Sequence, residues 1–315
     1  MTIEVLEPGA LTTVQDPVGR RGWRHLGVPM GGAADRWSAR LANRLVGNAE
    51  ADAGIEFTLS GPVLQFEMPS TVALVGRFDA AVDGLPLAPA RARALRAGSV
   101  VRIASGVDAR GYLAIAGGID LPRVLGSAST DLRTGFGGLD GRALDVGDRL
   151  PIGRPAGGAA RWTGASAEGP IRIVAGPHVD RLAGTRALTA AHWEIGTDAD
   201  RTGVRLDGPR IDALGPEIDS MGVPEGAVQV PPDGRPIVML SDRPVTGGYP
   251  VPWVVVAADV GRLARLRPGT EVRFVEVTFD EARAAWADAE RQLTATEPLD
   301  AGEGDVPGSW AGSHV

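Results

Sequence analysis

The chain has 315 residues, 43% of them apolar, a formal charge of −7 and no cysteine. It can therefore bury one sizeable core or two smaller ones, while disulfides, thiolate nucleophiles and cysteine-bound metals are excluded. It also lacks lysine, so a G-x-x-x-x-G-K-[ST] phosphate loop, a Schiff base and a biotin attached to this polypeptide cannot form.

Short apolar runs between turn signals recur along the chain, at residues 72–75, 100–103, 112–116, 171–174, 237–240, 253–257 and 272–277. Strands this short and frequent predict barrels or sandwiches. A helix is predicted after Asp35, which can cap it, with Trp37, Leu41 and Leu45 on one face and Arg36, Arg40 and Arg44 on another. A second is predicted after Asp280, through Ala284, Trp286 and Leu293. Residues 154–169, rich in Gly, Ala and Ser, read as a linker region, and the polar stretch after Thr294 reads as a loose tail.

Two local patterns recur in both halves. Leu59-Ser60-Gly61-Pro62-Val63-Leu64 parallels Leu206-Asp207-Gly208-Pro209-Arg210-Ile211. Leu95/Gly98/Val101, Leu144/Gly147/Leu150 and Leu266/Gly269/Val272 share one spacing, which predicts turns that open strands. The domain division that follows is residues 1–158 for a first half, 159–169 for a linker, 170–294 for a second half and 295–315 for a flexible tail.

The richest stretch is Q-V-P-P-D-G-R-P-I-V-M-L-S-D-R-P-V-T-G-G-Y-P, residues 229–250. A Pro-Pro-Asp-Gly turn leads into a buried apolar strand, which opens on Asp242, Arg243, Thr246, Gly247, Gly248 and Tyr249. This reads either as a site-bearing loop pair or as a polar hairpin. The histidines at 25, 178, 192 and 314 have no metal-ligand spacing and no G-x-S-x-G elbow is present, so no metal and no serine triad are expected. The arginines are scattered among acids, which gives no nucleic-acid footprint. No apolar run approaches the roughly 18 residues of a membrane span and the N-terminus has no signal-peptide pattern, so the expected location is the cytoplasm, with no membrane association.

L-T-T-V-Q-D at 11–16, H-L-G-V-P-M-G-G-A-A-D-R at 25–36, Y-L-A-I-A-G-G-I at 112–119 and G-S-A-S-T-D-L-R at 126–133 accompany that stretch. Together they resemble the biotin-dependent carboxyltransferase family, also named allophanate hydrolase subunit 2 or Kip-antagonist-like, over residues 6–277. The resemblance implies a mainly β chain of tandem cyclophilin-like β-barrel subdomains with a few peripheral helices. It implies the C subunit of an ATP-dependent 5-oxoprolinase, converting 5-oxoproline to glutamate with a Kip-inhibitor-like B component and a LamB/YcsF-type A component. ATP is then expected at a site shared with one of those partners. Two alternatives stay open: the carboxyltransferase of a urea-carboxylase-like system with biotin on another chain, and a regulatory protein antagonising a Kip-type kinase inhibitor.

For an amide or lactam substrate, backbone N–H groups at Gly31-Gly32 and Gly247-Gly248 are candidate oxyanion donors. Arg201 and Arg243 are candidate forks for a substrate carboxylate, and Asp35, Asp200 or Asp242 candidate proton-transfer groups. Gln229, Thr246 and Tyr249 complete the expected substrate walls. A helix cap is an equal reading for Asp35. Relatives commonly carry Ser-Glu-Gly where this chain has Ser220-Met221-Gly222, and a functional glutamate there would be lost.

Overall fold

A computed structural model describes residues 2–181, 186–212 and 218–299. The chain is mainly β, with two barrel-like sheets in tandem. The first has ten strands, and its spine is the 16-residue strand Val100–Ile115. The first half of that strand pairs with Val63–Phe66 and Phe78–Val82, and the second half with Gly54–Ser60 and Ser70–Val75. The spine can turn between these partners because Gly106 and Gly111 lie where a Cβ would collide with Phe78 and Phe57. Phe57 and Phe78 meet edge to face at 4.8 Å, inside a core that includes Ile3, Val14, Ile55, Leu64 and Ile115.

The second sheet has eight strands, and Glu271–Val272 and Phe274–Glu276 lie at its opposite ends. A single residue joins those end strands, so the sheet wraps almost into a closed barrel. Trp193 and Trp253 fill its core with Leu206, Val238 and Leu240.

The recurrent leucine–glycine spacing produces one turn three times. Gly98, Gly147 and Gly269 have φ of 85°, 84° and 80°. Each sits third in a turn closed by a hydrogen bond, from Ser99 N to Arg96 O, Asp148 N to Asp145 O and Thr270 N to Arg267 O. A left-handed third residue is the requirement of a type II turn, which explains the glycine. Both Gly-Pro pairs end a strand flanked by one earlier and one later strand: Gly54–Ser60 in the first sheet and Gly203–Asp207 in the second.

Four helices are described: α1 (Arg36–Leu45), α2 (Ala187–Ala190), α3 (Ala257–Ala264) and α4 (Phe279–Leu293). None of them is long and apolar enough to cross a membrane. Helix α1 starts at Asp35 as expected, with the carboxylate accepting from Ser38 N at 3.1 Å and Ser38 Oγ at 2.6 Å. The cap of α4 is Thr278, two residues before the expected Asp280. Thr278 and Glu281 form a capping box that satisfies two backbone donors at once, an advantage Asp280 cannot match. The run at 253–257 splits into the strand Trp253–Val255 and the start of α3, a helix the sequence conceals with glycine at 261. The stretch read as a linker carries the strand Ala160–Trp162, paired with Thr296–Pro298. The tail beyond residue 299 lies outside the described residues.

The two halves are pinned together at several points. Arg110 of the first sheet donates to the Ala264 carbonyl and Ala109 N to Arg265 O at 2.7 Å, which satisfies the free carbonyls at the end of α3. Trp37 on α1 packs edge to face on Trp162 at 5.5 Å, and their indole N–H groups donate to Ala289 O and Gln292 O of α4.

Candidate functional site

The Gly31-Gly32 loop of the first half meets residues 241–243 of the second. Gly31 N donates to Ser241 O at 3.2 Å. Arg201 stands at the centre of this seam. Its Nε and Nη2 reach Asp242 Oδ2 and Oδ1 at 2.8 and 3.0 Å, its Nη2 reaches Gly32 O at 2.6 Å, and its Nη1 pairs with Glu56. Glu56 in turn accepts from Ala34 N at 2.8 Å. Burial alone would push the Arg201 pKa down, but attraction by Glu56 and Asp242 outweighs it and leaves the guanidinium more basic than an ordinary arginine. Local sequence places each member. The Asp200 carboxylate turns the chain by accepting from Thr202 N and Gly203 N at 2.7 and 3.0 Å, Asp242 follows the strand Ile237–Met239, and Glu56 lies within Gly54–Ser60.

Beside this triad lies a different electrostatic environment. Arg243 is only 4% exposed, and its Nε and Nη1 donate to Val223 O and Leu240 O, both at 3.0 Å. Burial first, then the neighbouring charges of Arg24 and Arg36, push its pKa down to about 10 against the opposing pull of Glu225. Arg24 Nη2 donates to Val223 O at 2.8 Å and to Val245 O at 3.0 Å. Arg36 pairs with Glu225 at 3.1 Å.

On the other side of Gly31 lies Arg20, which is fully buried. Its guanidinium sits 4.4 Å from the Phe136 ring centre and donates to Ser129 O, while Nε and Nη1 have no hydrogen-bond partner among the described residues. Burial lowers its pKa, opposed by Asp131, Asp16 and Asp242. A Cβ at Gly31 would lie 3.3 Å from Arg20 Nη1 and 3.8 Å from Asp242 Oδ1, so this glycine keeps the centre of the site open as well as supplying φ of 58°.

The structure sorts the residues named from sequence. Gly31, Gly32, Arg201, Asp242 and Arg243 converge at the seam. Arg201 is committed to two carboxylates and a carbonyl, so it has no fork to offer a substrate, and both oxygens of Asp242 are held by that one guanidinium. These two residues brace the site through their mutual contacts. Gly31 N–H is likewise engaged, donating to Ser241 O. Asp200 faces solvent and closes a turn. Asp35 is 2% exposed, capping α1 and pairing with Arg265 at 3.0 Å, so the cap reading prevails. It borders a separate cavity of about 300 Å3 shared with Trp37, Arg265 and Trp286.

Thr246–Gly247 pairs with Met221–Gly222, placing Met221 opposite Gly247. Gly248 O accepts from Ile218 N at 3.0 Å, and Tyr249 is partly exposed. Gln229 is buried beside Gly247, where a Cβ would come within 2.8 Å of its amide nitrogen. Sequence reasoning missed Arg20, Arg24, Glu56 and Glu225. Glu56 left one signal, a charge between the apolar Ile55 and Phe57 in the otherwise uncharged strand G-I-E-F-T-L-S.

Comparison with known proteins gives a concordant result. The sequence profile of the family described as carboxyltransferase domain, subdomain A and B, matches residues 26–276. The chain is 37% identical over 299 residues to the C subunit of the 5-oxoprolinase of Escherichia coli K12, covering 92% of this chain and 96% of that protein. It is 31% identical over 333 residues to the urea amidolyase of Lachancea kluyveri, covering 95% of this chain but only 18% of that protein. The crystal structure of the K. lactis urea amidolyase superposes with a TM-score of 0.85 at 29% identity, over 93% of this chain and 20% of that one.

Proposed function

Because the chain belongs to the carboxyltransferase domain family of subdomains A and B, we propose that it is the C subunit of a cytoplasmic, ATP-dependent 5-oxoprolinase. It assembles with a Kip-inhibitor-like B component and a LamB/YcsF-type A component, and the complex opens the lactam of 5-oxoproline with water to give glutamate. One observation carries this reading over the urea-carboxylase alternative: the chain is 37% and 35% identical to two 5-oxoprolinase C subunits, against 31% and 30% to two urea amidolyases. The absence of lysine agrees with it, since a biotin-dependent cycle needs a carrier lysine that these 315 residues do not hold.

Within this reading the protein supplies a braced, guanidinium-rich seam. Arg243 is the residue fitted to hold the substrate carboxylate, because of the two forks named from sequence it keeps a nitrogen without a hydrogen-bond partner among the described residues. ATP is a substrate of the assembled enzyme, activating an oxygen by phosphorylation. Arginines are present to meet its phosphates, and with no lysine and no phosphate loop here the remaining contacts fall to a partner chain.

The test is to co-express the chain with its B and A partners, purify the complex and measure glutamate formed from 5-oxoproline with and without ATP. The expected result is ATP-dependent turnover only when all three polypeptides are present. Absence of turnover in a stable complex, or ATP-dependent carboxylation of urea with a biotinylated carrier, would overturn the assignment.

A further inference from the structure

Arg24 and Arg243 come together on a single acceptor. Val223 O receives Arg24 Nη2 at 2.8 Å and Arg243 Nε at 3.0 Å. The other hydrogen bonds of the two guanidiniums also go to carbonyls, Val245 O and Leu240 O. Carbonyl dipoles orient guanidiniums without supplying a paired negative charge, and Glu225 and Asp242 act on Arg243 only through space. The nearby carboxylates are committed elsewhere, Glu225 to Arg36 at 3.1 Å and Asp242 to Arg201 at 2.8 Å.

Open donors remain on both side chains. Arg243 Nη2 and Arg24 Nε and Nη1 have no protein hydrogen-bond partner among the described residues, and none of them is sealed from solvent in the way Arg20 Nη1 is. Two positive groups held side by side, with donors free and no carboxylate hydrogen-bonded to either among the described residues, match the geometry that recognises a planar or tetrahedral oxyanion. One arm is rigid and buried. The other, Arg24, sits in the three-residue 3-10 turn Arg24–Leu26 of the loop leading to Gly31.

We propose that Arg24 and Arg243 form an oxyanion clamp across the two halves, and that Arg24, which no sequence motif singled out, is a substrate-positioning residue. The ligand is a small oxyanion: the carboxylate of the lactam substrate, or the phosphoryl group transferred beside it. Its identity rests on the proposed function, whereas the clamp itself does not.

Calorimetric titration of the full chain tests this with 5-oxoproline, with 2-pyrrolidinone, which is the same lactam without its carboxylate, and with inorganic phosphate. Wild type is compared with Arg24→Ala and Arg243→Lys, each checked by melting temperature. At least one oxyanion should bind, and Arg24→Ala should weaken it tenfold or more. Arg243→Lys should weaken it at least fivefold, because a point charge cannot replace a fork. Binding of 5-oxoproline without phosphate assigns the carboxylate, and Arg24-dependent binding of phosphate alone assigns the phosphoryl group. The clamp is overturned if neither anion binds, if 5-oxoproline binds but pyrrolidinone binds as tightly, or if Arg24→Ala binds like wild type. Turnover in the assembled enzyme without clamp binding would remove the clamp alone. Arg24-dependent phosphate binding without turnover would remove the 5-oxoprolinase reading alone.

Discussion

Replacing Arg201 by methionine should cost more stability than any other single change at the seam. The side chain is nearly buried and holds Glu56 and Asp242, which are 2% and 16% exposed, together with the Gly32 carbonyl. Methionine fills similar volume, so a cavity contributes little and the loss is electrostatic. Removing one member of a buried ion pair typically costs about 3–5 kcal/mol, because the stranded carboxylates cannot recover their hydration. Domains of 150–250 residues lose roughly 2–4 °C per kcal/mol, and the lower end applies to a larger chain, so the melting temperature should fall by about 6–10 °C. Thermal unfolding followed by circular dichroism at pH 7 measures this. The triple variant Glu56→Gln, Arg201→Met, Asp242→Asn removes the charges together and should recover at least half of the loss, since exchanging a whole buried ion pair for neutral groups is often nearly neutral. An Arg201→Met protein melting within about 2 °C of wild type would refute the brace.

Arg243 should behave in the opposite way. Its folded pKa of about 10 lies below the ordinary arginine value, so charge is disfavoured in the folded state at every pH below 10, and stability is regained as pH rises from 10 through 12.5. In urea unfolding, wild type should therefore gain on Arg243→Met by about 1 kcal/mol between pH 10 and 11, and a pH-independent difference would contradict this. In the assembled enzyme the same variant should lose turnover at least 100-fold while melting within a few degrees of wild type, and equal losses of fold and activity would argue for a structural role only. Asp35→Ala should cost about 1–2 kcal/mol more than Asp35→Asn, because asparagine still caps α1, and thermal melts of the two variants should rank in that order. Gly261→Ala should destabilise α3 by about 1–3 kcal/mol, since its Cβ would overlap the Asp35 carboxylate pinned by the cap, and a rise in melting temperature would show that carboxylate free to move.

The β architecture was legible because its signals are local. Short apolar runs set the strands, and the glycines at 98, 147 and 269 marked their turns through a backbone angle closed to most other residues. Composition alone excluded lysine and cysteine chemistry. Helix α1 was equally plain from its cap and spacing. Helix α3 was hidden because Gly261, a poor helix former, is demanded by the approach of Asp35 from the other half. The motifs also named residues that the fold brings together at the seam, Gly31, Gly32, Arg201, Asp242 and Arg243. They could not say which arginine would be satisfied and which left open. Glu56 lies 145 positions from Arg201 and Val223 lies 199 from Arg24, so their meeting depends on how the two halves dock. Charge type is written in each residue, but whether that charge braces the fold or faces a ligand depends on the partners the tertiary structure leaves beside it.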